Sequence, residues 1–140
     1  MRTHARTRAA VVGLCAALSV PGLVAAQDEP RLSVSDHGTG SEIADRNLVD
    51  RRTSFTEGER VAFWTLVVGG AADDRVQHVW IHEGREKLAV GLAVSGPHWR
   101  TWSFKTLSAG STGSWAVEAR DPQGRVLARD EFTCGAAPGD

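Results

Sequence analysis

From Arg31 onward the apolar residues recur mostly at every second position, and turn-forming residues interrupt them at short intervals. That is the period of strands, not of helices. Leu32, Val34 and Asp36 alternate with Ser33 and Ser35 between Arg31 and His37, a loop of Gly, Thr and Ser follows, and Ile43 to Val49 is a short extended or turn segment. Asp50 to Arg60 is polar, with a turn at Thr56-Glu57-Gly58-Glu59. Arg60 to Val68 is apolar on both parities, which predicts a central strand covered on both faces. Further strands follow at Val76 to His82, Arg85 to Val94, His98 to Leu107, Ser114 to Arg120 and Arg125 to Cys134. Glu83-Gly84 is a tight hairpin turn with Gly84 at positive φ, and Asp121-Pro122-Gln123-Gly124 has the residue order of a type I turn. Seven strands with short connections predict an all-β protein, an immunoglobulin-like antiparallel β-sandwich of about seven strands; a small barrel is the alternative.

The N-terminal pattern is different. Arg2, His4, Arg6 and Arg8 precede a mostly apolar run from Ala9 to Val24, and Val24-Ala25-Ala26 places small residues before Gln27. This is the layout of a cleaved signal peptide over 1–26. The apolar run is shorter than the roughly 20 residues of a spanning helix, so no transmembrane anchor is expected after processing, and the product is expected to be periplasmic or secreted. Residues 27–59 are then an N-terminal strand and loop segment of the same domain, 60–134 its core, and 135–140 a flexible tail. Cleavage removes three arginines and no acids, leaving 13 basic against 17 acidic residues. Such a chain has no cationic field to hold nucleic acid. Cys134 would be its only thiol, without an intrachain partner, and is expected as a half-buried group ending the last strand.

Several motifs occur in fixed order: His78-Val79-Trp80, Pro97-His98-Trp99-Arg100-Thr101-Trp102-Ser103 and Trp115-Ala116-Val117, preceded by Glu59 to Thr65 and closed by Asp121 and Gly124. Together they resemble the bacterial domain of unknown function 2914, over roughly Arg60 to Thr133. The resemblance implies a domain of envelope or membrane-attached proteins. It implies no chemistry, because the family carries no established activity.

Candidate functional residues come from strand parity. In a regular strand Trp99 shares a face with Thr101, Ser103 and Lys105, and Trp102 shares the other with Phe104. Trp102 is therefore expected to point inward and Trp99 outward or under a loop, with Arg100 at the strand mouth or beside a carboxylate. His78, Trp80 and His82 share one face of their strand. His78 and His82 are about 13 Å apart there, too far for one metal ion, and no close-spaced His/Cys/Asp set suggests a metal or other cofactor. No nucleophile elbow or phosphate-binding loop is present either. The reading that follows is a non-catalytic envelope binding domain. An outward patch of Trp99, Arg100, Trp80 and His78 would hold a glycan, a peptidoglycan fragment or a partner protein. The alternatives are a small hydrolase or metal-dependent enzyme centred on His78, and a purely structural domain.

Overall fold

Alternating apolar positions become strands throughout residues 31–139, the part of the chain described by the structure, a computed structural model. The strands are β1 (Ser33–Gly40), β2 (Ile43–Ala44), β3 (Asn47–Leu48), β4 (Ser54–Thr56), β5 (Arg60–Val68), β6 (Asp74–His82), β7 (Arg85–Val94), β8 (His98–Thr106), β9 (Gly113–Arg120) and β10 (Val126–Gly135). A three-stranded sheet, β1-β5-β8, packs against a five-stranded sheet, β4-β10-β9-β6-β7, in an immunoglobulin-like sandwich, while β2 and β3 form a separate hairpin. The seven long strands lie where the alternation predicts them. The sandwich is not wholly antiparallel, however: β4 pairs in parallel with β10, Phe55 beside Cys134. The candidate signal peptide lies outside the described residues.

One face of each sheet supplies the core. β5 turns Val61, Phe63, Thr65 and Val67 inward, and β6 turns Val76, His78 and Trp80 toward them. Phe55, Val61, Phe63, Trp80, Leu107, Trp115, Val117, Phe132 and Cys134 make the larger apolar cluster. Leu32, Val67, Val76 and Val94, with Trp99 and Leu92 leaning on them, make a smaller one. A bulge between Val34 and Asp36 shifts β1 by one residue. It keeps Val34 in the core and turns Asp36, which shares its parity, out to solvent beside Arg51. The turn at Glu83 and Gly84 has φ of 48° and 79°, the twist that suits a two-residue hairpin. Asp121 holds the β9-β10 turn, its buried carboxylate accepting the backbone N–H groups of Gln123 and Arg125. Cys134 is more deeply buried than a strand-end position suggests, and burial pushes its thiol pKa up.

The second face of β5 is covered as well, by the β2-β3 hairpin. Trp64 donates its indole N–H to the Arg46 carbonyl at 2.8 Å and is almost fully buried. The segment that follows the hairpin also runs close to β1, where glycine makes room: a Cβ on Gly40 would stand 2.0 Å from the Asp50 carbonyl oxygen. Both turn residues of this hairpin, Asp45 and Arg46, have positive φ, 50° and 65°. In Arg46, a side chain without glycine's freedom, such a backbone costs on the order of 1 kcal/mol.

Candidate functional site

The two faces of β8 are reversed with respect to the parity argument. Thr101 and Ser103 point inward and are buried, whereas Arg100, Trp102 and Phe104 lie on the outer face, Arg100 exposed and the two rings half-buried. The physical reason lies on the opposite sheet. His78 is completely buried, and its two ring nitrogens meet Ser103 Oγ at 2.7 Å and Thr65 Oγ1 at 3.2 Å. Thr65 in turn donates to the Thr101 carbonyl. A buried imidazole needs such partners, so the hydroxyl side of β8 is the side that must face it. Thr65, His78, Thr101 and Ser103 thus form a polar belt between the two apolar clusters. Desolvation lowers the His78 pKa to about 3, and the ring stays neutral at ordinary pH.

Four residues were expected to share an outward patch, and the structure separates them. His78 and Trp80 are each 0% exposed, because β6 is an inner strand of its sheet and its even positions face β5 and β8. Neither lies on the surface with Trp99 and Arg100. Trp80 packs edge-on against Phe63 and Phe132, and its indole N–H has no hydrogen-bond partner among the described residues. Trp99 is on the inner parity of β8 but at its start, half-buried against the smaller cluster. Arg100 is exposed on the outer face, without a carboxylate partner among the described residues.

What joins Trp99 to the outer face is a residue that the sequence did not single out. The Arg46 guanidinium wraps the free edge of β8, 5.4 Å from the Trp99 ring centre and 5.8 Å from that of Trp102, and donates to the Arg100 carbonyl at 3.2 Å. Arg60 stands 4.0 Å over the Phe104 ring at the other end of the strip. The result is a surface row of rings and guanidinium groups: Trp99, Arg46, Trp102, Arg100, Phe104 and Arg60. None of the three arginines makes an ion pair with a described residue. The sequence signal for it is the alternation of Arg100, Trp102 and Phe104; Arg46 carries no local signal, since its turn lacks the usual glycine.

An open depression of about 520 Å³ on the outer face of the five-stranded sheet offers a contrast. Its wall residue Arg129 is engaged by Glu118 and Glu131. Burial raises the Glu118 pKa, and hydrogen bonds from Arg120 and Arg129 outweigh that and hold it low. The charges there satisfy each other. Those of the β8 strip have no ion-pair partner among the described residues.

No curated protein matches this chain. Among solved structures, it is similar to a Niemann-Pick type C2 protein from Japanese carpenter ant, with 10% identity and a TM-score of 0.42 over 76% of this chain and 92% of that one. At that level the likeness carries no functional argument. The family model described as "Protein of unknown function (DUF2914)" matches residues 73–134, which hold β6 to β10 and include Trp99, Arg100 and Trp102 but neither Arg46 nor β5. That segment is similar to the DUF2914 family, the one the tryptophan motifs resemble.

Proposed function

We propose that the chain is a non-catalytic binding domain whose contact surface is the outer strip of β8, and that its ligand is an acidic glycan. The carrying observation is the set of three arginines, Arg46, Arg60 and Arg100, interleaved with half-exposed rings and lacking carboxylate partners among the described residues. Flat aromatic faces stack on sugar rings, and guanidinium forks take carboxylates in a bidentate way. The Arg46 backbone supports this reading. A residue held at φ 65° is maintained against its own preference, and strain of this kind collects at functional positions. An enzyme centred on His78 lacks such support, because that imidazole is enclosed on all sides and bonded to Thr65 and Ser103.

The setting that fits is outside the cytoplasm, on the strength of the 1–26 pattern, where acidic polysaccharide is encountered. Intrinsic tryptophan fluorescence, titrated with a uronate-containing oligosaccharide and with a neutral one of equal length, tests the proposal. Saturable binding of the acidic sugar, at least tenfold tighter than the neutral one and weakened by salt, is the expected result. Equal binding of both, or binding of neither, overturns it.

A further inference from the structure

The sandwich has four sheet edges, and three of them are covered, capped in part or short. On β1, Arg52 N–H donates to the Thr39 carbonyl and Arg51 to that of His37. On β8, the Arg46 guanidinium caps the Arg100 carbonyl. β4 is three residues long. The fourth edge, β7, runs for ten residues, and among the described residues only β6 bonds to its backbone. Unpaired N–H and C=O groups along a strand of that length are a template for another strand. The segment from Leu88 to Val94 contains no charge, and Leu88 is 37% exposed on the inward parity with Val90 and Leu92 half-buried beside it.

We propose that β7 pairs with β7 of a second copy of this chain, antiparallel, about a two-fold axis at Val90. The occupant is indicated by the strand's own pattern. Two-fold antiparallel pairing about Val90 places Leu88 opposite the partner's Leu92 and Ala89 opposite the partner's Gly91, and the order Leu88-Ala89-Val90-Gly91-Leu92 is the same type read from either end: large, small, large, small, large. Large apolar residues then meet on the inward face and small ones on the outer face. Lys87 falls opposite the partner's Ala93, so its charge meets no like charge across the axis and lies about 20 Å from the partner's Lys87. The product is a continuous ten-stranded sheet whose inward apolar row crosses the interface. One strand pairing covers less than the 1,200–2,000 Å² of a standard interface. The dimer is accordingly a reversible one that forms at micromolar concentration.

Sedimentation velocity of the mature chain from about 1 to 200 μM, together with two cysteine variants, tests the pairing. A reversible monomer–dimer equilibrium is expected. Val90→Cys, whose partner lies directly across the axis at a Cα spacing of about 4.5 to 5.5 Å, should form an intermolecular disulfide. Ala93→Cys, six positions from the partner's cysteine, should not. Ala89→Lys, an exposed substitution near the axis, should keep the chain monomeric at every concentration without altering its melting temperature. A wild-type chain that stays monomeric at 200 μM, that assembles without stopping at two, or that dimerises unchanged with Ala89→Lys overturns the proposal. So does cross-linking at residue 93 in place of residue 90.

Discussion

The two faces of the three-stranded sheet differ in a way that composition alone inverts. Its inner face carries Thr65, Thr101 and Ser103 across the middle, and its outer face carries Trp64, Trp102 and Phe104. The hydroxyl groups are inside because His78 projects from the facing sheet and must be hydrogen-bonded. The rings are outside because two things lie over them, the β2-β3 hairpin and the arginines. A face is therefore defined by what is opposite it. Polar residues can be core, and aromatic ones can form a surface that the rest of the chain only half covers.

Four experiments bear on this contrast. The largest effect is expected from comparing two phenylalanines on opposite faces of neighbouring strands. Phe63→Ala, at a position with no exposure, should cost about 3 to 5 kcal/mol in urea unfolding, and Phe104→Ala, half-exposed under Arg60, about 1. Equal losses would mean that the outer face is core after all.

The second probes the belt through pH. His78 titrates near 6.5 when unfolded and at about 3 when folded, so the unfolded chain binds the extra proton between those values. Stability is fully present above pH 6.5 and falls by about 1.4 kcal/mol per pH unit below it, until the folded pKa is reached. Asp50, Glu59 and Glu118, whose pKa values are lowered from 3.8 or 4.5, lose their contribution only at more acid pH. Unfolding measured between pH 6.5 and 4.5 should show about 2 to 3 kcal/mol lost through His78, and His78→Gln should flatten the slope by that amount. A slope that persists in His78→Gln assigns it elsewhere.

The third removes one partner: Ser103→Ala leaves His78 Nδ1 without its hydroxyl and should cost about 1 to 3 kcal/mol. The smallest effect has the opposite sign. Arg46→Gly relieves the positive φ and should raise stability by about 0.5 to 1 kcal/mol while weakening ligand binding. A loss of stability there would show that the Arg46 side chain holds the fold, through Trp99 and Trp102, more than it holds a ligand.

Strand positions were legible in the sequence because period-two alternation and turn residues are local signals, and the doubly apolar stretch from Arg60 to Val68 marked a strand covered on both sides. Three things were not. The inward side of β8 depends on His78, which is 25 residues away in the chain and on the other sheet. The β2-β3 hairpin consists of two-residue strands around an Asp-Arg turn, too short for a period and without glycine. β4 pairs in parallel with the last strand of the chain, a contact that no neighbouring residue announces. Of the candidate site, the motif pointed to Trp99 and Arg100, while the parity argument put the two faces of β8 the wrong way round. Arg46 was missed because what places it is the Trp64 indole and the free edge of β8, both properties of the assembled sandwich.

The central claim is that the outer strip of β8 exists for binding and the inner face for folding, and the substitution Arg100→Ala tests it most directly. Arg100 is exposed and its side chain makes no hydrogen bond or ion pair with a described residue. Urea unfolding and titration with an acidic oligosaccharide, performed on the same preparation, should show stability within about 0.5 kcal/mol of wild type and affinity lower by a factor of about ten or more. Unchanged affinity, or a loss of affinity that merely follows a loss of stability, would contradict it.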